Sequence, residues 1–355
     1  MATAWGVEGK FPGKVIPFRR LSVIDPSLPL IDLHRHLDGN VRLSTILELA
    51  DKHAVPLPAW DEENLRPFVQ VTEPQPGVMA FLEKFRYLVG VLGDYDACRR
   101  VAYENVLDAQ REGLDYVELR FSPLFMAQPH GLDPQGVVEA VIDGVEAGQR
   151  ETSLKVNLIG ILSRTYGQEL AWQELEALLA FAERLVAVDL AGDEANYPGE
   201  WFTAHLEKAR QRGLRLTVHA GESAGPASVW QAVQQLRAER LGHAVHAIED
   251  PRLMDTLAER GIGIEVNLTS NVQTSTVSSY AAHPLRQFLE KGLLATINTD
   301  DPGISGIDLR YEYEVAAPAA GLSAAQIVQA QRNALTVAFL SPTEKEALLA
   351  RKSVT

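Results

Sequence analysis

The chain predicts an α/β fold: a single (β/α)8 barrel with extra helices inserted after the first strand. Three observations carry that expectation. The first is a repeated pattern, in which an amphipathic stretch ends in a charged residue and a glycine and a short β-branched run follows. It reads REGLDYVELRFS (Arg111 to Ser122), RGLRLTVHAGE (Arg212 to Glu222), RGIGIEVNLTSN (Arg260 to Asn271) and KGLLATINTDD (Lys291 to Asp301). The glycine suits the position just past a helix, where φ turns positive. The apolar run after it suits a strand of a parallel sheet, buried on both faces. The second observation is that LPLIDLH (Leu28 to His34), LKVNLIGIL (Leu154 to Leu162), LVAVDLAGDE (Leu185 to Glu194) and ERLGHAV (Glu239 to Val245) read as further strands, which makes eight. The third is length, since eight βα units in about 300 residues is the size of such a barrel.

Helical patterns separate the strands at Val137 to Gln149, Gln173 to Arg184, Pro251 to Arg260 and Ala324 to Phe339. The connection from Asn40 to Gly113 is long, and its helical stretches (Val41 to Ala54, Gly77 to Val91, Tyr95 to Glu112) read as an insertion over the barrel mouth. A doubly wound open sheet is the competing architecture, but no G-x-G-x-x-G turn follows the first strand. Residues 1–27 read as an N-terminal extension, and 28–355 as the barrel domain.

Composition narrows the partners. Apolar residues make up 46% of the 355 and charged residues 23%, as in a globular chain with a substantial core. The formal net charge of -14 repels phosphate backbones and anionic lipid, so neither nucleic acid nor membrane is expected as a partner. The single cysteine, Cys98, excludes an internal disulfide and any Cys-rich zinc site. The first twenty residues lack a signal-peptide pattern, and no window reaches 18 uninterrupted apolar residues. A cytoplasmic location is the resulting expectation.

The polar residues on those strands point to a metal. His34 and His36 end the first strand, two apart and therefore on one face. His219 ends the fifth, His243 the sixth, and Asp300 and Asp301 the eighth. In a barrel these ends converge at one mouth, where active sites form. Three histidines and a carboxylate are typical zinc ligands and leave a position open for water. Taken singly, each histidine reads more readily as a satisfied core residue, and TDDP as a turn. Their convergence is what points to a ligand cluster.

The motifs HRHLDG, DLAGDE, HAGE, LGHA, TSNVQT and NTDDPG occur in the order and spacing of the adenosine deaminases of the amidohydrolase superfamily. The chain resembles the bacterial members over roughly Leu30 to Leu340. The resemblance implies that His34, His36, His219 and Asp300 hold one zinc ion per chain and that Glu222 donates a proton. It places His243 and Asp301 around the attacking water and the purine. His36, Asp38, Gly192 and Asp301 become contacts to the substrate, with Asp38 at the ribose and Gly192 against the ring. The implied activity is hydrolytic deamination of adenosine and 2′-deoxyadenosine to inosine and 2′-deoxyinosine.

Elementary chemistry agrees. Displacing ammonia from C6 of a purine needs a strong nucleophile at neutral pH, which a metal-activated water supplies. The ring loses aromaticity unless N1 takes a proton, and Glu222, three residues past His219, is placed to give it. Two alternatives stand beside this reading. A sibling deaminase would act on free adenine or on 6-aminodeoxyfutalosine, although relatives specific for adenine tend to carry Glu at the place of Asp38. A binding protein with a dead site would lack a ligand or the acid, and all are present. One residue departs from the family pattern: Ala244 follows His243 where glycine is usual, and the added methyl is expected to narrow the pocket or to shift His243.

Overall fold

A computed structural model describes residues 23–71 and 73–352. Most of the expected N-terminal extension lies outside the described residues. Its last part is anchored, because the amide of Gln331 donates to the carbonyls of Asp25, Leu28 and Pro29 while its Oε1 accepts from the Asp25 amide.

Eight strands follow one another as β1 (Ile31–His36), β2 (Tyr116–Phe121), β3 (Lys155–Ser163), β4 (Ala187–Ala191), β5 (Arg215–Ala220), β6 (Arg240–His243), β7 (Gly263–Val266) and β8 (Leu294–Ile297). Each pairs in parallel with the next. The ring closes between the last strand and the first: the Asp300 amide donates to the His34 carbonyl at 2.8 Å, and the His36 amide donates to the Asp300 carbonyl at 2.7 Å. The expected barrel is therefore present with all eight strands. The glycines of the repeated pattern, Gly113, Gly213, Gly261 and Gly292, have φ of 82°, 86°, 64° and 85°, as a residue just past a helix requires.

Two expectations are corrected. The first strand begins at Ile31, not Leu28, and ends at His36, where the seam with Asp300 holds it. The helix Tyr95–Arg111 does not lie over the mouth. It packs against Pro134–Glu151 in the outer ring. Gly144 and Gly148 permit the close approach, since a Cβ on Gly144 would stand 2.2 Å from the Arg99 carbonyl oxygen. The insertion proper comprises Leu43–Lys52, the unexpected Glu62–Val69, and Val78–Leu82 with the short turns after it. Pro67 and a charged run hide Glu62–Val69 in the sequence, but Asp61 caps it by accepting from the Asn64 amide. The insertion is tied to the segment after β8, where the Ile304 carbonyl accepts from the Val71 amide.

The barrel interior is charged as well as apolar. Glu118 and Arg120 of β2, Asp189 of β4, Arg240 of β6 and Glu265 of β7 are all buried. Arg240 donates to Glu265 at 2.7 Å and to Glu118, and its guanidinium lies 3.6 Å from the centre of the Phe339 ring. Removing one partner of such a set leaves an uncompensated buried charge. Arg240→Met is expected to destabilise the fold by about 3–5 kcal/mol, read as a lowered denaturation midpoint at unchanged m-value. A loss below about 1 kcal/mol, the range of exposed pairs, would refute that account.

Candidate active site

The seam between β8 and β1 puts His34 and His36 beside Asp300, and β5 brings in His219. One ligand atom from each of these four residues lies within 4.8 Å of the others. His34 Nδ1 is bonded to Glu265 at 2.7 Å, which leaves Nε2 for the cluster. That Nε2 faces Asp300 Oδ1 at 3.0 Å without the geometry of a hydrogen bond, and it has no other partner. His219 Nδ1 is likewise held by Asp189, at 3.0 Å, leaving its Nε2 open. Fixing one ring nitrogen on a carboxylate orients the other toward a metal.

The electrostatics call for a cation. Burial alone would lower His36, but Asp301, Asp38 and Asp300 lift it to about 9, so without an ion the acids draw a proton onto a ligand. Burial holds His219 at about 4 even against Asp189, so its imidazole is neutral. Burial would raise Asp300, yet His243, His34 and His36 hold it well below the usual carboxylate range. The neutral imidazole of His219, the ionised carboxylate of Asp300 and the orphaned buried Nε2 of His34 suit a borderline divalent ion such as zinc.

Asp189 and Glu265 went unnoticed in the sequence. Glu265 accepts from His34, Arg120, Thr217 and Arg240 together. Burial would raise it, but the Arg120 and Arg240 guanidinium groups hold it well below the ordinary range. The available signal was a lone carboxylate inside an apolar strand, as in AVDLA and GIEV, where a charge is costly unless it is paired.

Glu222, His243 and Asp301 surround the ligand cluster. Glu222 Oε2 lies 3.7 Å from His243 Nε2, and the same nitrogen is 3.8 Å from Asp300 Oδ2. Burial, then Asp300, Glu194 and Asp301, push the Glu222 carboxyl well above its ordinary range, so it favours keeping its proton. Asp301 is raised well above its range by burial and then by Asp300. Its side chain lies over Gly39, where a Cβ would fall 1.8 Å from Oδ1, so the glycine of HRHLDG makes room for it.

The tautomer of His243 follows from a chain of bonds. The Leu285 amide donates to His283 Nδ1, so the proton of that ring sits on Nε2, which donates to Asn271 Oδ1 at 3.2 Å. The Asn271 amide nitrogen then donates to His243 Nδ1 at 2.9 Å, which assigns the proton of His243 to Nε2, the atom near Glu222 and Asp300. His283 is not among the residues to which the sequence motifs point. His53, His130, His205 and His246 lie outside the cluster.

A cavity of about 920 Å³, open mouth included, lies over the cluster. One wall is apolar, formed by Val78, Phe81, Leu82 and Phe85 of the insertion with Phe125 and Ile161. The other carries Asp38, Gly192, Glu222, His243 and Asp301, so the structure brings every candidate residue to one place. Asp38 Oδ2 accepts from the Ser122 amide at 3.1 Å, while Oδ1 is buried without a hydrogen-bond partner. Gly192 has φ of 110°, and a Cβ there would meet Thr165 Oγ1 at 2.4 Å. Ala244 does not line the cavity. Its methyl is buried in the apolar core, and the expected effect on the pocket becomes a backbone one, since Ala244 and His243 are left-handed at φ of 50° and 62°.

Comparison with known proteins completes the picture. The family model for adenosine deaminase matches residues 29–353. An adenosine deaminase of Edwardsiella ictaluri is 60% identical over 326 residues, 92% of this chain and 98% of that one. Among solved structures, an adenine deaminase from Arthrobacter aurescens superposes with a TM-score of 0.85 at 24% identity, over 92% of this chain and 98% of that chain. An amidohydrolase from Burkholderia ambifaria with bound Zn superposes with a TM-score of 0.83 at 25% identity, over 93% of this chain and 90% of that one. A barrel closed through its own ligand cluster, a match along nearly its whole length and relatives of such identity lead to one conclusion: the chain belongs to the adenosine deaminase family.

Proposed function

We propose that the protein is a zinc-dependent aminohydrolase that converts adenosine and 2′-deoxyadenosine to inosine and 2′-deoxyinosine and releases ammonia. One observation carries the reading. The cavity over the four-residue ligand cluster is also lined by two buried carboxylates, Asp38 and Asp301, each with an oxygen that has no hydrogen-bond partner.

His34, His36, His219 and Asp300 would hold the ion. Bound there, zinc supplies Lewis acidity, which brings the pKa of a coordinated water down to about 7. Glu222 holds a proton and gives it to purine N1 as C6 is attacked, which relieves the loss of aromaticity. His243, with its proton on Nε2, orients the attacking oxygen and balances charge that develops there. Asp301, whose raised carboxyl keeps its proton, donates to a ring nitrogen of the purine or faces the attacking water. Gly192 lets the backbone approach the ring, and Asp38 accepts a ribose hydroxyl. Among the described residues no lysine or arginine lines the cavity. That favours an uncharged nucleoside over a 5′-phosphate or the benzoate arm of 6-aminodeoxyfutalosine.

A spectrophotometric panel of adenosine, 2′-deoxyadenosine, adenine and 6-aminodeoxyfutalosine with the zinc-loaded protein tests the reading. The two nucleosides are expected to lead in kcat/KM, and a lead by either other substrate overturns the assignment. Asp38→Ala separates nucleoside from base. It loses a charge-assisted bond of roughly 1.5–3 kcal/mol, about 10- to 150-fold in kcat/KM for adenosine. Residual turnover of adenine should change far less, at unchanged zinc content. Equal losses on both substrates would place Asp38 in support of His36 instead.

A further inference from the structure

We infer that Glu194 is a positioning residue for the reaction: its carboxylate sets the loop that carries Glu222. The inference rests on the reading of Glu222 as proton donor.

Glu194 stands three residues past the end of β4 and is 4% exposed. Its Oε1 accepts from the Gly221 amide at 2.6 Å and from the Ser228 hydroxyl. Its Oε2 accepts from the amides of Glu222 at 3.1 Å, Ser223 at 2.9 Å and Ala224 at 3.1 Å. Four consecutive backbone N–H groups thus converge on one side chain, a concave anion nest whose anion is built into the protein. Gly221, at φ of 74°, turns the first amide inward. The side chain of Glu222 leaves from the second residue of this run. Where its carboxyl can reach is therefore decided by how the run is held.

Only a carboxylate meets this demand. Glutamine has the same shape, but one of its two terminal atoms is an NH2 that would donate where backbone amides also donate. The same β4 segment also supplies Asp189, which holds His219 Nδ1 at 3.0 Å. Two acids of one segment therefore set the metal ligand His219 and the acid Glu222, which stand three residues apart. A rival account is purely structural, because Ser228 lies in the first turn of the helix Pro226–Gln234, and Glu194 would then serve only to anchor that helix.

The double-mutant cycle of Glu194→Gln and Glu222→Gln, in the full-length zinc-loaded protein, separates the accounts. A misplacement of about 1 Å at a reacting group is worth about 10²-fold in rate, so Glu194→Gln alone should lower kcat about 10²-fold, with KM within threefold and zinc content unchanged. In the Glu222→Gln background the same change should alter kcat less than threefold, because both act through one proton. A Glu194→Gln protein with parental kcat and a lower Tm overturns the inference in favour of the structural account. Losses that multiply in the double variant overturn it as well. Glu194→Asp keeps the charge but is one methylene too short for all four amides. It should lose about tenfold in kcat at unchanged KM, and if Glu194→Gln does not fold, a fully active Glu194→Asp overturns the inference. Glu222→Gln with parental activity removes the proton-donor reading itself, an outcome distinct from a deficient Glu222→Gln beside a fully active Glu194→Gln.

Discussion

Glu222→Gln is expected to keep its metal and lose at least about 10²-fold, and up to about 10⁴-fold, in kcat. The substitution preserves shape and volume and removes the titrating proton. Glu222 is outside the ligand cluster, so metal content should stay at the parental level. Its role depends on holding a proton in the ground state, which burial and the neighbouring carboxylates of Asp300, Glu194 and Asp301 favour. A glutamine can still contact N1 but cannot deliver a proton to it, so the loss should appear in kcat more than in KM. Steady-state kinetics on adenosine with elemental analysis of the same preparation checks this. Activity within a factor of about three of the parent would remove Glu222 from proton transfer.

Asp300→Asn should lower both metal retention and turnover. The side chain of Asp300 supplies the only carboxylate of the cluster, within reach of His34 Nε2 at 3.0 Å and His36 Nε2 at 3.4 Å. Asparagine is a better substitution than alanine here, because Asp300 has φ of 63° and asparagine tolerates that region. The backbone bonds to His34 and His36 therefore survive, and the fold with them. After metal loading and gel filtration the parent should carry about one equivalent of zinc, as three neutral imidazoles and one carboxylate would bind, and the variant less than about half. Activity should fall by more than about 10²-fold, equivalent to several kcal/mol of Lewis-acid stabilisation. Full zinc occupancy in Asp300→Asn would move the metal away from these four residues.

Much of the barrel was legible because parallel strands announce themselves locally. A glycine forced to positive φ after a helix and an apolar run after it mark four of the eight strands without any tertiary information, at Gly113, Gly213, Gly261 and Gly292. The ligand cluster was legible for a related reason: strand ends in a barrel converge, so His34, His36, His219 and Asp300 needed only to be placed on strands. What was hidden depends on contacts between distant segments. His283 reaches His243 only through Asn271, and nothing local marks it. The four donors to Glu265 come from four strands. Tyr95–Arg111 was misplaced because an amphipathic face does not say which neighbour covers it. Glu62–Val69 was missed because its stop signal, Pro67, lies within the helix.

The seam at Asp300 has a consequence for assembly. Position 34 belongs to the first strand and position 300 follows the last, so the ligand set is complete only when the two ends of the chain's path have met. No partial barrel released before β8 could bind the ion with all four groups. Ion affinity is thus a property of the finished ring, and an ion that binds only the native state stabilises it by mass action. A metal held by these four groups would act as a clasp: it would reward the last and longest-range pairing in the topology, the step with the heaviest loop-closure entropy. Withdrawing it would loosen the ring first at its own point of closure, with β1 and β8 as the earliest strands to open.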